Sequence, residues 1–415
     1  MKLNIKYLII SILFLLGVTT KVKTEIPSPK TDSIFSKDAM ISLLTFGAGN
    51  DPHSVWGHTA IRIKDDAQGM DLVFNYGQFD FDAPFFLIKF LRGKLDYSLG
   101  YNEYKDVYRY YKYYKRSMYE QILNLNYREK VKLYKLLKEN YKKENRYYKY
   151  DFFFDNCSTR PLQIIEKSLD GKLIISKNRT DKTFRQLLDE QISNHQWMDF
   201  GIDLIIGVKA DKYPTVRQST FLPPQLQKFL SKAKMNTKPS LDDMKSNRTV
   251  IKKLVKKEYP VYEFGDTGYV LPKFLYPVWI FTFFFLIEIA IFIFSYKKRK
   301  ILYKWYDKLW FITAFIGGLL ITFLWFFTDH QATKDNWNFI WLNPLFLFVF
   351  LKKGKHKTLL IYIITALLFI TLIGFSFFPQ DLHPAIIPII GLLFLKVSKY
   401  GILRRFFYNS KGTVA

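Results

Sequence analysis

The chain has 415 residues, enough for more than one domain, and its 62 Lys and Arg against 36 Asp and Glu give a formal charge of +26. No nucleic-acid-binding motif accompanies that charge. The basic residues lie beside apolar segments, which suits an anionic membrane surface better than nucleic acid. A single cysteine, Cys157, excludes an internal disulfide, and the lack of any Cys-x-x-Cys or His-x-x-x-His pair argues against a metal centre.

Residues 1–24 carry Lys2 and Lys6, then an apolar stretch from Tyr7 to Val18. That is the layout of a secretory signal or N-terminal anchor, with its removal left open. Export would put the following domain, expected over 25–231, in an oxidising compartment. A lone thiol there is either buried and inert or exposed and used.

AMISLLTFGAG (39–49) reads as a strand ending in a glycine-rich turn. HTAIRI, from His58, and DLVFNYG, from Asp71 to Gly77, read as two further strands joined by DDAQGM. Paired as an antiparallel hairpin, they bring His58 beside Asn75, Tyr76 or Gly77. The tyrosine-rich run YKDVYRYYKYYKRSMY is equally readable as compositional bias without functional content. NYREKVKLYKLLKENYKK reads as a helix with Asn126 and Glu129 as a capping box and Val131, Leu133, Leu136 and Leu137 on its buried face.

FFFDNCSTRP follows, then the helical LQIIEKSL. With Ser158 as cap, Pro161 falls in the first turn, where its missing N–H is tolerated. Cys157 then sits just ahead of the helix, at the positive end of its dipole, which favours a thiolate. The stretch from Trp197 to Leu226 reads as irregular structure closing the domain. The polar run from Lys232 to Lys257 reads as a connector, assigned to 232–273.

A membrane domain is expected over 274–415, with apolar segments at Phe274–Phe294, Leu309–Phe327, Asn338–Leu351, Leu359–Phe377 and His383–Leu395. Three of them clearly meet the roughly 20-residue length of a span; the third and fifth are short enough to be tilted or re-entrant. The loops YKKRKILYKWYDK and KKGKHK and the tail KVSKYGILRRFFYNSKG are basic, whereas TDHQATKDNW and PQDLHP are not. The positive-inside rule puts the basic ones, with the C-terminus, in the cytoplasm and the segment before Phe274 outside, in agreement with the signal. Glu288, within the first span, is expected to face and pair with another helix. Asp329, His330, Asn336, Asn338, Asn343 and His383 cluster near the outer face, either as interfacial loop polarity or as a functional group.

A cysteine nucleophile needs a base in hydrogen-bond reach and a third group to orient it. Of six histidines, His58 is the best base: it starts a strand and follows Gly57, which leaves room for close approach. Asn75 is the orienting candidate from the hairpin, with Gln78 or Asp80 as alternatives. The order, histidine strand before cysteine helix, is a permuted papain-like arrangement, within an α+β domain. The opposing reading is that Cys157 and His58 are ordinary packing residues.

TFGAGNDPHSVWGHTAIRI, DLVFNYGQFDF, YKYDFFFDNCSTRP, FLPPQL and TDHQATKDNWNFIWLNPL, in that order, resemble the Lnb family of Bacteroidetes membrane proteins, over about Ile41 to Pro384. The resemblance implies an α+β periplasmic domain with a permuted papain-like fold of the NlpC and lecithin:retinol acyltransferase kind, then a polytopic helical membrane domain. It implies lipoprotein N-acyl transfer at a bacterial inner membrane, without cofactor. The donor would be a phospholipid, the intermediate a thioester on Cys157, and the acceptor the α-amine of the lipid-modified first cysteine of a diacylated lipoprotein. His58 would be the base and a backbone N–H at the helix start the oxyanion donor. Asn156, Thr159 and Arg160 fall in the matching motif as supporting or substrate-binding residues, and His330, Asn336, Asn343 and His383 are expected to line lipid access. The rival functions are a membrane-anchored cysteine amidase or peptidase of the envelope, and a non-catalytic assembly or lipid-binding protein.

Overall fold

A computed structural model describes residues 26, 34–49, 51, 54–80, 82–237, 250–265, 270–351 and 354–403; the expected signal segment lies outside the described residues. The chain forms two compact units. One comprises residues up to Lys182 together with Tyr213–Gly268, the other Thr183–Lys212 together with the chain from Tyr269 onward.

The strands of the first unit are β1 (Met40–Phe46), β2 (His58–Asp65), β3 (Met70–Phe79), β4 (Asp96–Glu103), β5 (Met118–Leu123) and β6 (Tyr147–Lys149), then β7 (Lys172–Ile174), β8 (Lys234–Thr237), β9 (Val250–Lys253) and β10 (Val255–Tyr262). Seven of them form one sheet in the order β10-β5-β1-β2-β3-β4-β6; β7, β8 and β9 form a small second sheet. Every pairing in both is antiparallel. Its helices are α1 (Phe86–Leu91), α2 (Tyr104–Tyr113), α3 (Tyr127–Tyr141) and α4 (Thr159–Ser168). A further helix, Pro223–Lys232, grows from FLPPQL, with Pro223 at its first position where no N–H is needed.

The central strands are apolar on both faces because both are covered. Ile41, Leu43, Ile61, Ile63 and Phe74 face Leu133 and Leu137 of α3 and Leu162 and Ile165 of α4. Leu44, Phe46, Ala60 and Val73 point the other way, against Val107 and Tyr111 of α2. Each Val, Leu, Ile or Phe side chain among them, fully buried, contributes about 1.5–3 kcal/mol. The capping box at Asn126 and Glu129 forms as expected.

The second face also carries a buried charge. Arg62 of β2 pairs with Asp71 at 2.7 Å and Glu120 at 3.0 Å, and its guanidinium lies 3.3 Å from the Tyr104 ring centre. Glu120 also accepts from Ser42 and from Tyr259 of β10. That network ties β10 onto the sheet edge, so the polar run expected to be a connector is partly a strand: Val255–Tyr262 pairs along β5. Val255 is buried and Tyr259, Val261 and Tyr262 half-buried, whereas Lys256, Lys257, Glu258 and Pro260 are exposed, a composition that suits an edge strand.

In the second unit, α5 (Phe184–Ile192) and α6 (Gln196–Ile205) precede three long helices, α8 (Pro277–Lys297), α9 (Lys304–Phe326) and α10 (Gly354–Gly374), and a shorter one, α11 (Ile386–Ser398); α7 denotes Pro223–Lys232 of the first unit. The boundary differs from the sequence reading, which ran the outer domain unbroken to 231. The stretch expected to be irregular holds helix α6, whose Phe200 and Leu204, one turn apart, pack in the core of the helical unit. Arg185, almost fully buried, fastens this segment by pairing with Asp203 and Asp211.

Only α8, α9 and α10 are long and apolar enough to cross a membrane among the described residues. The expected third span is instead a series of short turns, Trp337–Ile340, Pro344–Leu347 and Phe348–Leu351. Asn336 and Asn343 accept backbone N–H groups two residues on, and Pro344 donates none, so the ladder of a long helix is interrupted at both. Helix α11, at 13 residues, spans about 20 Å, short of the roughly 30 Å hydrocarbon core. Glu288 does pair with another helix: Lys396 and Lys399 each reach both Glu288 and Asp307 within 3.0 Å, all four fully buried.

Arg62→Ala should leave the buried Glu120 without its cation and lower local stability by about 3–5 kcal/mol. Amide hydrogen exchange in the full chain should show this as lost protection in β2 and β5. Unchanged protection there would contradict the role given to the pair.

Candidate functional site

Cys157 sits on the loop just before α4, 8% exposed. Asn156 builds that loop. Its Oδ1 accepts the N–H groups of Ser158 and Thr159 at 2.8 and 2.9 Å, and its Nδ2 donates to the carbonyls of Phe152 and Phe221. Ser158 occupies the cap position but its hydroxyl makes no capping bond, so the cap expected at Ser158 is provided by Asn156. Pro161, third in the helix, falls in the tolerated first turn. Thr159 returns a bond through its hydroxyl to the Asn156 N–H, and Arg160 pairs with Asp155 at 2.6 Å while lying 3.4 Å from the Tyr148 ring centre. These three residues hold Cys157 in place and offer it no reactive group of their own.

The hairpin supplies the partner. Ile61 pairs with Phe74, which sets His58, at the start of β2, beside the end of β3. His58 Nε2 is hydrogen-bonded to Asn75 Oδ1. A carboxamide oxygen only accepts, so Nε2 carries hydrogen and Nδ1 is left as the basic nitrogen. His58 is also hydrogen-bonded to the Cys157 side chain. Two glycines make the approach possible. At Gly57 (φ +80°) an added Cβ would lie 2.6 Å from the Phe46 carbonyl oxygen. Gly77 (φ +93°) sits at a register shift in the β3–β4 pairing, its missing Cβ 3.6 Å from that of Cys157. Gln78 and Asp80, the alternatives to Asn75, are used elsewhere: Gln78 donates to Asn102, and Asp80 accepts the Asp82 N–H.

The electrostatics favour charge separation. Burial pushes the Cys157 thiol up, but the adjacent His58 charge and bonds from His58, Tyr150 and the Thr59 backbone outweigh it and bring it below its ordinary value. Burial also works against a charged His58; the Cys157 charge and the bonds to Cys157 and Asn75 prevail, with Arg116 opposing, and its pKa rises. The two shifts run in the direction that favours thiolate and imidazolium together.

Three contributors had no legible sequence signal. The Tyr150 hydroxyl lies 3.8 Å from Cys157 Sγ and takes the Cys157 backbone N–H. Burial and the Cys157 charge hold its pKa well above the usual value, so it stays a donor. Thr59 bonds the Cys157 carbonyl through its hydroxyl. Arg116, bonded through Nε to the Gly47 carbonyl, keeps Nη2 buried without a hydrogen-bond partner. Tyr150 was one of 28 tyrosines, and Arg116 lay inside the run readable as compositional bias.

The helical unit uses its expected site residues differently. Asn336 is buried and bonded to the Leu204 carbonyl, the Asn338 N–H and Gln380. Asn343 bonds the Ile340 carbonyl and the Leu345 N–H. Both amides are thus committed to the framework. His383 accepts the Ala385 N–H and faces Asp199 at 3.7 Å, and the carbonyl of half-buried His330 accepts from Thr333. Asp189, Asp199 and Asp203 each bring an oxygen within 4.8 Å of the others. Burial, then the charges of Asp203 and Asp199, push Asp189 up to about 8, so a proton shared between carboxyls accounts for their closeness.

Sheet domain and apolar helices together define a membrane protein whose α+β domain carries a hydrogen-bonded Cys-His-Asn group. Residues 27–190 match the family model described as Lnb N-terminal periplasmic domain, and residues 270–405 that described as Lnb transmembrane domain. The two take in most of the chain, which belongs to the Lnb family, with a periplasmic domain and a membrane domain. No curated protein and no solved structure matches the chain.

Because Cys157 is the only cysteine, alkylation by iodoacetamide reads it directly. The wild-type rate should already be high at neutral pH, while His58→Ala should move its rise to about pH 8.5 or above, the ordinary thiol range. Asn75→Ala should give an intermediate profile. A His58→Ala profile matching wild type would contradict the ion pair.

Proposed function

We propose that this chain is a lipoprotein N-acyltransferase with Cys157 as nucleophile, His58 as base and Asn75 as the residue that orients His58. The observation that carries the proposal is the hydrogen-bonded series Cys157–His58–Asn75 in a periplasmic domain joined to membrane helices. The histidine strand preceding the cysteine helix supports a permuted papain-like domain. Basic loops on one side support a multi-pass protein of the inner membrane with a cytoplasmic C-terminus.

In the first step the Cys157 thiolate attacks the carbonyl carbon of a phospholipid ester. The C–O bond breaks, the lysophospholipid leaves as an alcohol with the proton from His58, and an acyl thioester remains. In the second, the α-amine of a diacylated lipoprotein attacks the thioester. His58 takes a proton from the amine, the C–S bond breaks, and thiolate is restored. Splitting the transfer in this way gives ping-pong behaviour.

The oxyanion donor differs from the one first expected. The N–H groups of Ser158 and Thr159 are taken by Asn156 and that of Cys157 by Tyr150, which leaves the Tyr150 hydroxyl and the Thr59 N–H as the donors that reach Sγ. The unpartnered Nη2 of Arg116 is suited to the phosphate of the donor.

The test is mass spectrometry of lipoprotein N-terminal peptides from cells lacking the gene, complemented with wild type, Cys157→Ser or His58→Ala. Wild type should restore the N-acyl group and Cys157→Ser should not, with His58→Ala reduced about 10²- to 10⁴-fold in rate. Full restoration by Cys157→Ser would reject the proposal. Activity of the purified chain on cell-wall peptides instead would favour an amidase.

A further inference from the structure

Helix α1 and the residue before it present an apolar surface that the periplasmic domain does not cover. None of the residues of α1 is buried; Phe85, Leu87 and Ile88 are 75%, 63% and 56% exposed. Phe85 adopts a left-handed backbone conformation (φ 58°), rare for a large side chain, and so projects its ring outward at a local cost. Such a patch on a folded domain marks an interaction site. Its composition indicates the partner. Lys89, Arg92 and Lys94 are interleaved with the apolar residues, and residues 83–94 contain no Asp or Glu. Apolar side chains ringed by cations complement the boundary between acyl chains and anionic headgroups. The same chain carries three helices suited to cross a bilayer, so a lipid surface is within its reach by construction.

A series of aromatic rings connects this patch with the thiol inside the one domain. Phe86 lies 5.9 Å from Phe79, Phe79 5.3 Å from Tyr97, and Tyr97 4.6 Å from Tyr150, centre to centre. The Tyr150 hydroxyl is 3.8 Å from Cys157 Sγ.

We propose that α1 docks the periplasmic domain onto the outer surface of a phospholipid bilayer, and that the rings from Phe86 to Tyr150 guide a donor acyl chain toward Cys157. The second half rests on the acyl-transfer reading; the first does not. Docking leaves the ester carbonyl at the headgroup boundary, where the thiolate meets it without the chain crossing water.

The experiment uses the full chain in nanodiscs of phosphatidylcholine and phosphatidylglycerol, with Cys157→Ser and a single Ile88→Cys labelled with the fluorophore NBD. Brominated phospholipids should quench the label, with emission shifted to the blue. Water-like emission without quenching overturns the docking. A blue shift without quenching also overturns it: dependence on protein concentration would then mean a second copy covers α1, and independence another protein surface. In an otherwise native chain, Leu87→Asp with Phe90→Asp should slow acylation of Cys157 by bilayer phospholipid about tenfold or more. Iodoacetamide should still alkylate Cys157 at the wild-type rate, as expected of a folded site. Unslowed acylation overturns the guiding role. Absence of acylation in wild type overturns the guiding role and the acyl-transfer reading alike, and leaves the quenching result to decide docking.

Discussion

Everything in the periplasmic domain that bears on chemistry depends on one hydrogen-bonded series, Asn75 to His58 to Cys157. It is assembled from one hairpin and a distant loop, and each residue must be fixed to a fraction of an ångström. The β2–β3 register delivers His58 and Asn75 together. A slip of one residue in that pairing would put them on opposite faces of the sheet. The Cys157 loop is held by Asn156, whose amide bonds four backbone groups, and by the Arg160–Asp155 pair. A buried charge pair is worth its desolvation only when such a frame holds both partners, and the opposite shifts of His58 and Cys157 are its signature.

The pair also explains why a lone thiol in an exported domain need not be a liability. At 8% exposure Cys157 is shielded from bulk solvent while remaining ionisable, because His58 supplies the charge that solvent would otherwise provide. Burial and a lowered thiol pKa, which the sequence presented as alternatives, coexist here. Tyr150 adds a neutral donor on the same sulfur, beside the His58 imidazole and the Thr59 backbone.

Much of this was readable beforehand, for identifiable reasons. The hairpin carried alternating β-branched residues around a turn, and from it the closeness of His58 and Asn75 follows by geometry. The capping box at Asn126 and the three long apolar helices have local signals of the same strength. What stayed hidden depended on tertiary context. Val255–Tyr262 looked like a linker because an edge strand shows water one of its faces. The segment Thr183–Lys212 gave no cue that its Arg185 pairs would hold it together internally, or that Phe200 and Leu204 would pack it into the core of the helical unit. Asparagines 336 and 343 read as exposed polar groups near a membrane face, yet they are buried turn-builders, because a carboxamide satisfies backbone as readily as it binds a ligand.

The central claim is that Cys157 accepts an acyl chain from a phospholipid. The most direct measurement is the intact mass of the purified full chain after incubation with phospholipid and no acceptor, followed by peptide mapping. The claim predicts one acyl group on Cys157, released by neutral hydroxylamine as expected of a thioester, and absent from His58→Ala on the same timescale. A Cys157 that alkylates readily yet never carries an acyl group, from any phospholipid offered, would contradict it.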